Sequence, residues 1–177
     1  MNALTRRIAM IVAIGLLSAS LPATEVTAAP APAALADGKA DGTLTVNGKT
    51  TKVAFAYARS VPGFFDKTKN DVQVILSDVA LDAKALGDEF VRIEMAKAGK
   101  LHAFEITIDA SGKPISTSWR HDGFKGPTPS GLSSDDILTT KVFDGKTVDG
   151  SYKSAAPEEF FDNHYAFDVT FRAAIGH

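Results

Sequence analysis

The stretch His164 to Ile175, HYAFDVTFRAAI, alternates large apolar and polar side chains along its length. Tyr165, Phe167, Val169, Phe171 and Ala173 fall on one side of an extended chain, and Asp168, Thr170 and Arg172 fall on the other. That period of two marks a half-buried β-strand. A long, strongly alternating strand near the end of a chain usually completes a sheet whose other strands lie upstream.

Three hairpins supply them. Thr43 to Val46 and Thr51 to Arg59 flank Asn47-Gly48, a pair that favours the positive φ angles of a tight type I′ turn. In the second of these strands Val53, Phe55 and Tyr57 are expected on one face and Ala54, Ala56 and Ala58 on the other. Leu101 to Asp109 and Pro114 to His121, joined by Ala-Ser-Gly-Lys, form the second hairpin. Ile137 to Phe143 and Thr147 to Lys153, joined by Asp144-Gly145-Lys146, form the third. Asp71 to Val79 is short and β-branched, again strand-like. Leu81 to Asp88, closed by Gly87, reads as one short helix. Beyond it Val91, Ile93 and Met95 alternate with Arg92, Glu94 and Ala96, which predicts a strand rather than a helix continuing through Ala98. The expected fold is mainly β: a single antiparallel β-sandwich or β-barrel of about eight or nine strands with one short helix.

The amino terminus carries a different signal. Arg6 and Arg7 precede an uncharged, mostly apolar run, Ile8 to Leu21, which Pro22 breaks ahead of Val26-Thr27-Ala28. This is the layout of a secretory signal peptide, and the run is too short for a transmembrane helix. Residues 1–28 are therefore expected to be a signal peptide, 29–41 an Ala/Pro-rich flexible leader, and 42–177 the antiparallel β domain, in the periplasm or secreted. Arg6-Arg7 leaves the general and twin-arginine export routes both open. Removing Arg6, Arg7 and Glu25 takes the 19 basic and 21 acidic side chains of the whole chain to 17 and 20. A slightly acidic domain lacks the concentrated basic face that nucleic acid requires. There is no cysteine, so a domain of this length relies on packing instead of disulfides.

No sequence motif assigns a reaction. There is no G-x-S-x-G elbow, H-E-x-x-H, phosphate-cradling glycine loop or EF-hand loop, and no cofactor is expected. The acidic pairs Asp88-Glu89, Asp135-Asp136 and Glu158-Glu159 are adjacent in sequence, and neighbours on a strand point to opposite faces, which speaks against paired carboxylate chemistry. Of the four histidines, His102 and His121 are the metal candidates. A four-residue loop from Ala110 to Lys113 puts them opposite each other, with Trp119 next along that face. A slip of two residues sets His102 against Trp119 instead. A third ligand would have to come from elsewhere, His164 being one option.

Surface candidates remain. The loop Asp122 to Ser134 is long for a compact domain, and loops of that length are often functional. The doublets Phe64-Phe65 and Phe160-Phe161 cannot both place two rings in one core from a strand, so an exposed apolar patch is possible. The candidate ligand-binding residues are thus Phe64, Phe65, Trp119, His121, Phe124, Phe160 and Phe161, with no catalytic residue assigned.

Gly42 to Lys49 (GTLTVNGK), Val74 to Asp78 (VILSD) and Tyr165 to Phe171 (YAFDVTF) resemble exported bacterial β-rich proteins of uncharacterised role. The resemblance is diffuse and rests on hairpin residues. It implies export and a β fold, and carries over no functional residue. The leading expectation is an exported, non-enzymatic domain that binds a partner protein or a small apolar ligand through loops at one end. The alternative is a hydrolase built on His102, His121 and Asp135. An outer-membrane barrel is a third class, disfavoured by charged outward positions such as Arg92, Glu94, Asp168 and Arg172 and by the non-aromatic ending Ile175-Gly176-His177.

Overall fold

A computed structural model describes residues 34–131 and 136–176. The expected signal segment and Asp135 lie outside these residues.

The alternation does produce a single sheet. Its strands are β1 (Lys39–Val46), β2 (Lys49–Pro62), β3 (Asn70–Ser77), β4 (Ala103–Ile108), β5 (Pro114–Arg120), β6 (Ser130–Gly131), β7 (Ile137–Phe143), β8 (Thr147–Lys153), β9 (Glu158–Phe160) and β10 (Asn163–Gly176). Their order is β6-β5-β4-β3-β2-β1-β10-β8-β7, with β9 on another stretch of β10. All neighbours are antiparallel except one short contact. Past the start of β1, the end of β10 reaches β2 directly and runs parallel to it at Ile175↔Ala58 and Gly176↔Arg59. The sheet therefore curls into a half-barrel.

The curl brings distant strands together across the concave side. Phe104 of β4 lies 4.5 Å from Phe167 of β10 and 5.8 Å from Tyr152 of β8, measured between ring centroids. Leu44, Val46, Val74, Ile106, Val169 and Phe171 complete this interior and exclude solvent. Each such side chain contributes about 1.5–3 kcal/mol by leaving water. At one end Phe104, Trp119 and Phe167 of this interior also border a cavity of about 250 Å³.

Several local expectations change. Asn47 and Gly48 adopt φ of 51° and 81°, as the hairpin cue requires. In β2, however, the register shifts between Gly42↔Val53 and Lys39↔Phe55. The bulge resets the alternation, so Val53 shares the interior with Ala56 and Ala58, while Phe55 turns out beneath Lys39 and Tyr57 packs on the other face. Gly42 sits in this bulge, where a Cβ would lie 2.1 Å from the Asp168 carbonyl oxygen. The ordered strand begins at Lys39, inside the segment expected as leader: Ala40 is buried in the core, and Asp37 accepts from Arg172 Nε at 2.7 Å.

The second correction concerns residues 89–97. Two short helices, α1 (Ala83–Gly87) and α2 (Glu89–Lys97), stand where one helix and a strand were expected. The Asp88 carboxylate caps α2 by accepting from Phe90 N at 2.9 Å, with Glu89 in the first turn and Lys97 in the last. Val91 and Met95, four residues apart, pack with Ile75, Leu81, Leu101 and Ala103 on the outer face of the sheet. Arg92 is not outward but wholly buried: its Nε donates to Glu105 Oε1 at 2.8 Å and its Nη2 to Oε2 at 3.1 Å. Its Nη1 donates to the carbonyls of Ala85 and Leu86, closing the last turn of α1. Arg120 bonds Glu89 and sets its Nε 3.2 Å from Glu105 Oε1.

Candidate functional site

Strand direction sorts the candidates between two ends of the sheet. The Asn47-Gly48 turn, the start of β4, the end of β5 and the β9–β10 turn all lie at one end. The β2–β3 connection carrying Phe64 and Phe65 lies at the other, where both rings are largely exposed. The two phenylalanine doublets therefore do not form one patch.

At the Asn47 end the predicted hairpin register holds, with Ala103↔Arg120 and Phe104↔Trp119. One step further along, the rings of His102 and His121 meet at 4.4 Å. Asp78 clamps His102 twice, accepting from its backbone N–H at 2.8 Å and lying 2.6 Å from its Nδ1. His102 Nε2 lies 2.9 Å from Asp122 Oδ1. Lys49 donates to both Asp122 oxygens, at 2.8 and 3.1 Å, and holds that carboxyl below the usual carboxylate range. The His121 side chain is buried, and its Nδ1 accepts from the Gly123 N–H at 2.9 Å, which fixes the neutral ring as the Nε2–H tautomer facing Thr51 Oγ1 at 3.4 Å. Burial first, then the neighbouring His102, push the His121 pKa down to about 4. The third member of this cluster is thus Asp122, not His164.

A second feature opens on the same end. Trp119, Phe160, Tyr165 and Phe167 line a cavity of about 250 Å³ together with Asp136 and Glu158. Phe124 lies 5.5 Å from Trp119 and 5.8 Å from Tyr165. Tyr152 donates to Asp136 Oδ2 at 3.1 Å and Tyr165 to Glu158 Oε2 at 2.9 Å. Burial, and then the neighbouring carboxylates, raise the pKa of both phenols. Glu158 Oε1 is shielded from solvent and has no hydrogen-bond partner among the described residues.

The structure thus brings Trp119, His121, Phe124 and Phe160 to one end. Phe161 is exposed beside Phe160, with ring centroids 4.8 Å apart, and Phe64 and Phe65 stand apart from them. Sequence reasoning missed Asp78, Asp122, Lys49, Asp136 and Glu158. The last two are single members of the adjacent acidic pairs set aside for pointing to opposite faces, and each turns one carboxylate to the same cavity. Comparison with protein-family models, curated proteins and solved structures gave no match.

Proposed function

We propose that this chain is an exported, non-enzymatic binding domain, and that its ligand carries a small cationic group into the cavity at the Asn47 end. Glu158 Oε1 is the observation that carries the reading. A carboxylate oxygen removed from water without a donor is costly, and such groups in native proteins usually answer to a partner. The walls around it are aromatic rings, whose faces attract cations. A cavity of about 250 Å³ suits the head group of a small ammonium or guanidinium ion. The carboxylates shift the expected ligand from purely apolar to amphipathic.

The core residues Phe104, Trp119 and Phe167 wall this cavity, which supports binding at this end of the half-barrel. Among the described residues no helix is long and apolar enough to cross a membrane. Export to the periplasm or outside rests on the signal-like residues 1–28.

Calorimetric titration with tetramethylammonium and guanidinium, against a neutral isostere such as neopentane-type alcohol, tests the reading. Binding of a cation but not the isostere, weakened at least tenfold by Glu158→Gln, is the expected result. Equal binding of both, no binding at all, or indifference to Glu158→Gln would overturn it.

The hydrolase reading has one observation in its favour, the Asp78–His102 contact of 2.6 Å, which resembles an oriented general base. Yet His102 Nε2 meets Asp122 and Lys49 where a nucleophile would be needed.

A further inference from the structure

We infer that His102, His121 and Asp122 form a binding site for a divalent transition ion, zinc above all, separate from the aromatic cavity. One nitrogen from each ring and one Asp122 oxygen lie within 4.8 Å of one another. Zinc donors at about 2.0–2.2 Å from the ion stand about 3.3 Å apart, so closure needs side-chain shifts of about 1 Å. Imidazole with carboxylate suits zinc, copper and nickel, whereas calcium and magnesium call for oxygen ligands.

Three further features fit. Asp78 holds His102 by its Nδ1, leaving Nε2 toward Asp122; a carboxylate behind a ligating histidine fixes its ring and raises its basicity. The His121 side chain is out of solvent and its Nδ1 presents a lone pair, now taken by the Gly123 N–H at 2.9 Å. Lys49 already sets a positive charge among the donors, 2.8 Å from Asp122 and 3.5 Å from His102 Nε2, and its half-exposed, flexible side chain can leave. A divalent ion would take the place of that ammonium. A cavity of about 390 Å³ bordered by His121, Asp122 and Phe124 gives access from solvent. Ligation through His121 Nδ1 would exchange its hydrogen bond from Gly123 for the metal; ligation through Nε2 would exchange the one to Thr51.

The test is zinc titration of the tag-free chain after chelator treatment, followed by calorimetry and by imidazole nitrogen NMR. The expected result is one ion per chain, with the His102 and His121 resonances moving and that of His164 still. Asp122→Ala should weaken zinc binding at least tenfold and Asp78→Asn by 10–100-fold, while Lys49→Met should tighten it. Asp122 is partly exposed, so its variant is expected to fold, with circular dichroism as the check; the NMR arm needs no variant. No stoichiometric uptake, shifts confined to His164 or His177, or unchanged affinity in folded Asp122→Ala would each overturn the inference.

Discussion

Arg120 ends β5 and His121 directly follows it, yet they belong to two clusters of charge built in opposite ways. On the outer face, Arg120 joins Arg92 and Glu105 beneath α2, with side chains 8%, 0% and 4% exposed. Gln73 adds a donor to Glu105 Oε2 at 3.3 Å, and Arg92 caps the carbonyls of α1. At the Asn47 end, His121 joins His102, Asp78 and Asp122, and the balancing cation is Lys49, 52% exposed. In the first cluster Arg92 and Glu105 pair bidentately out of solvent, and Arg120 links them to Glu89 at the surface. The second has solvent at its margin and a mobile counter-charge. The first is fitted to hold an element in place, the second to trade one cation for another.

The largest test of that contrast removes the shared acid of the sealed cluster. Glu105→Ala leaves the Arg92 guanidinium buried without its carboxylate and Arg120 with Glu89 alone, which should cost about 3–5 kcal/mol. For a domain of this size that is a fall in Tm of about 10 °C or more. Asp122→Ala, with Lys49 free to turn to water, should cost about 1 kcal/mol or less. Urea denaturation of both measures the difference, and comparable losses would erase the distinction between the clusters.

Alkaline titration probes the open end. The Tyr152 phenol is buried and hydrogen-bonded to Asp136, so its pKa in the folded chain lies above the value near 10 of the unfolded chain. The unfolded state then releases a proton above pH 10 that the folded state keeps, and stability falls as pH rises beyond that point. Tyr152 alone should remove about 1.4 kcal/mol per pH unit above 10. Tyrosinate absorbance should therefore show Tyr152 and Tyr165 ionising together with loss of the fold. Their titration ahead of unfolding would mean that the cavity is more hydrated than the structure indicates. A smaller effect is expected from Asp78→Asn, about 1 kcal/mol, because an amide oxygen can still accept from the His102 backbone N–H while the ring loses its charged partner.

What was legible in the sequence follows from what one-dimensional spacing encodes. β10 was plain because Phe167, Val169, Phe171 and Ala173 reach the interior on strict alternation. The His102–His121 encounter was legible in part: from Thr107↔Ser116 to Ala103↔Arg120 the register is the one a four-residue loop predicts, although a shift at Ile108↔Pro114 closes the hairpin differently. Helix α2 was hidden because one of its buried residues is an arginine, so the four-residue pairs Val91/Met95 and Arg92/Ala96 did not read as an apolar stripe. The bulge at Gly42 in β1 reversed part of β2, since local alternation carries no count of the partner strand's residues. Asp78 and Asp122 lie in two separate connections and Lys49 begins β2, and only the curled sheet sets them beside the histidines.

The smallest expected effect lies at the far end of the sheet. Phe64 and Phe65 meet edge to face at 4.9 Å, with Lys67 Nζ 5.7 Å from the Phe64 ring. They pack on each other in water, while the local backbone is held independently by Asp71, which accepts from Phe64 N at 2.7 Å. Replacing both by serine keeps that backbone bond and should change stability by no more than about 0.5 kcal/mol. If the Asn47 end alone binds ligand and ion, the double variant should also retain both affinities. Lost binding with an intact fold would move the functional surface to the opposite end, where two large exposed rings would then need a partner of their own.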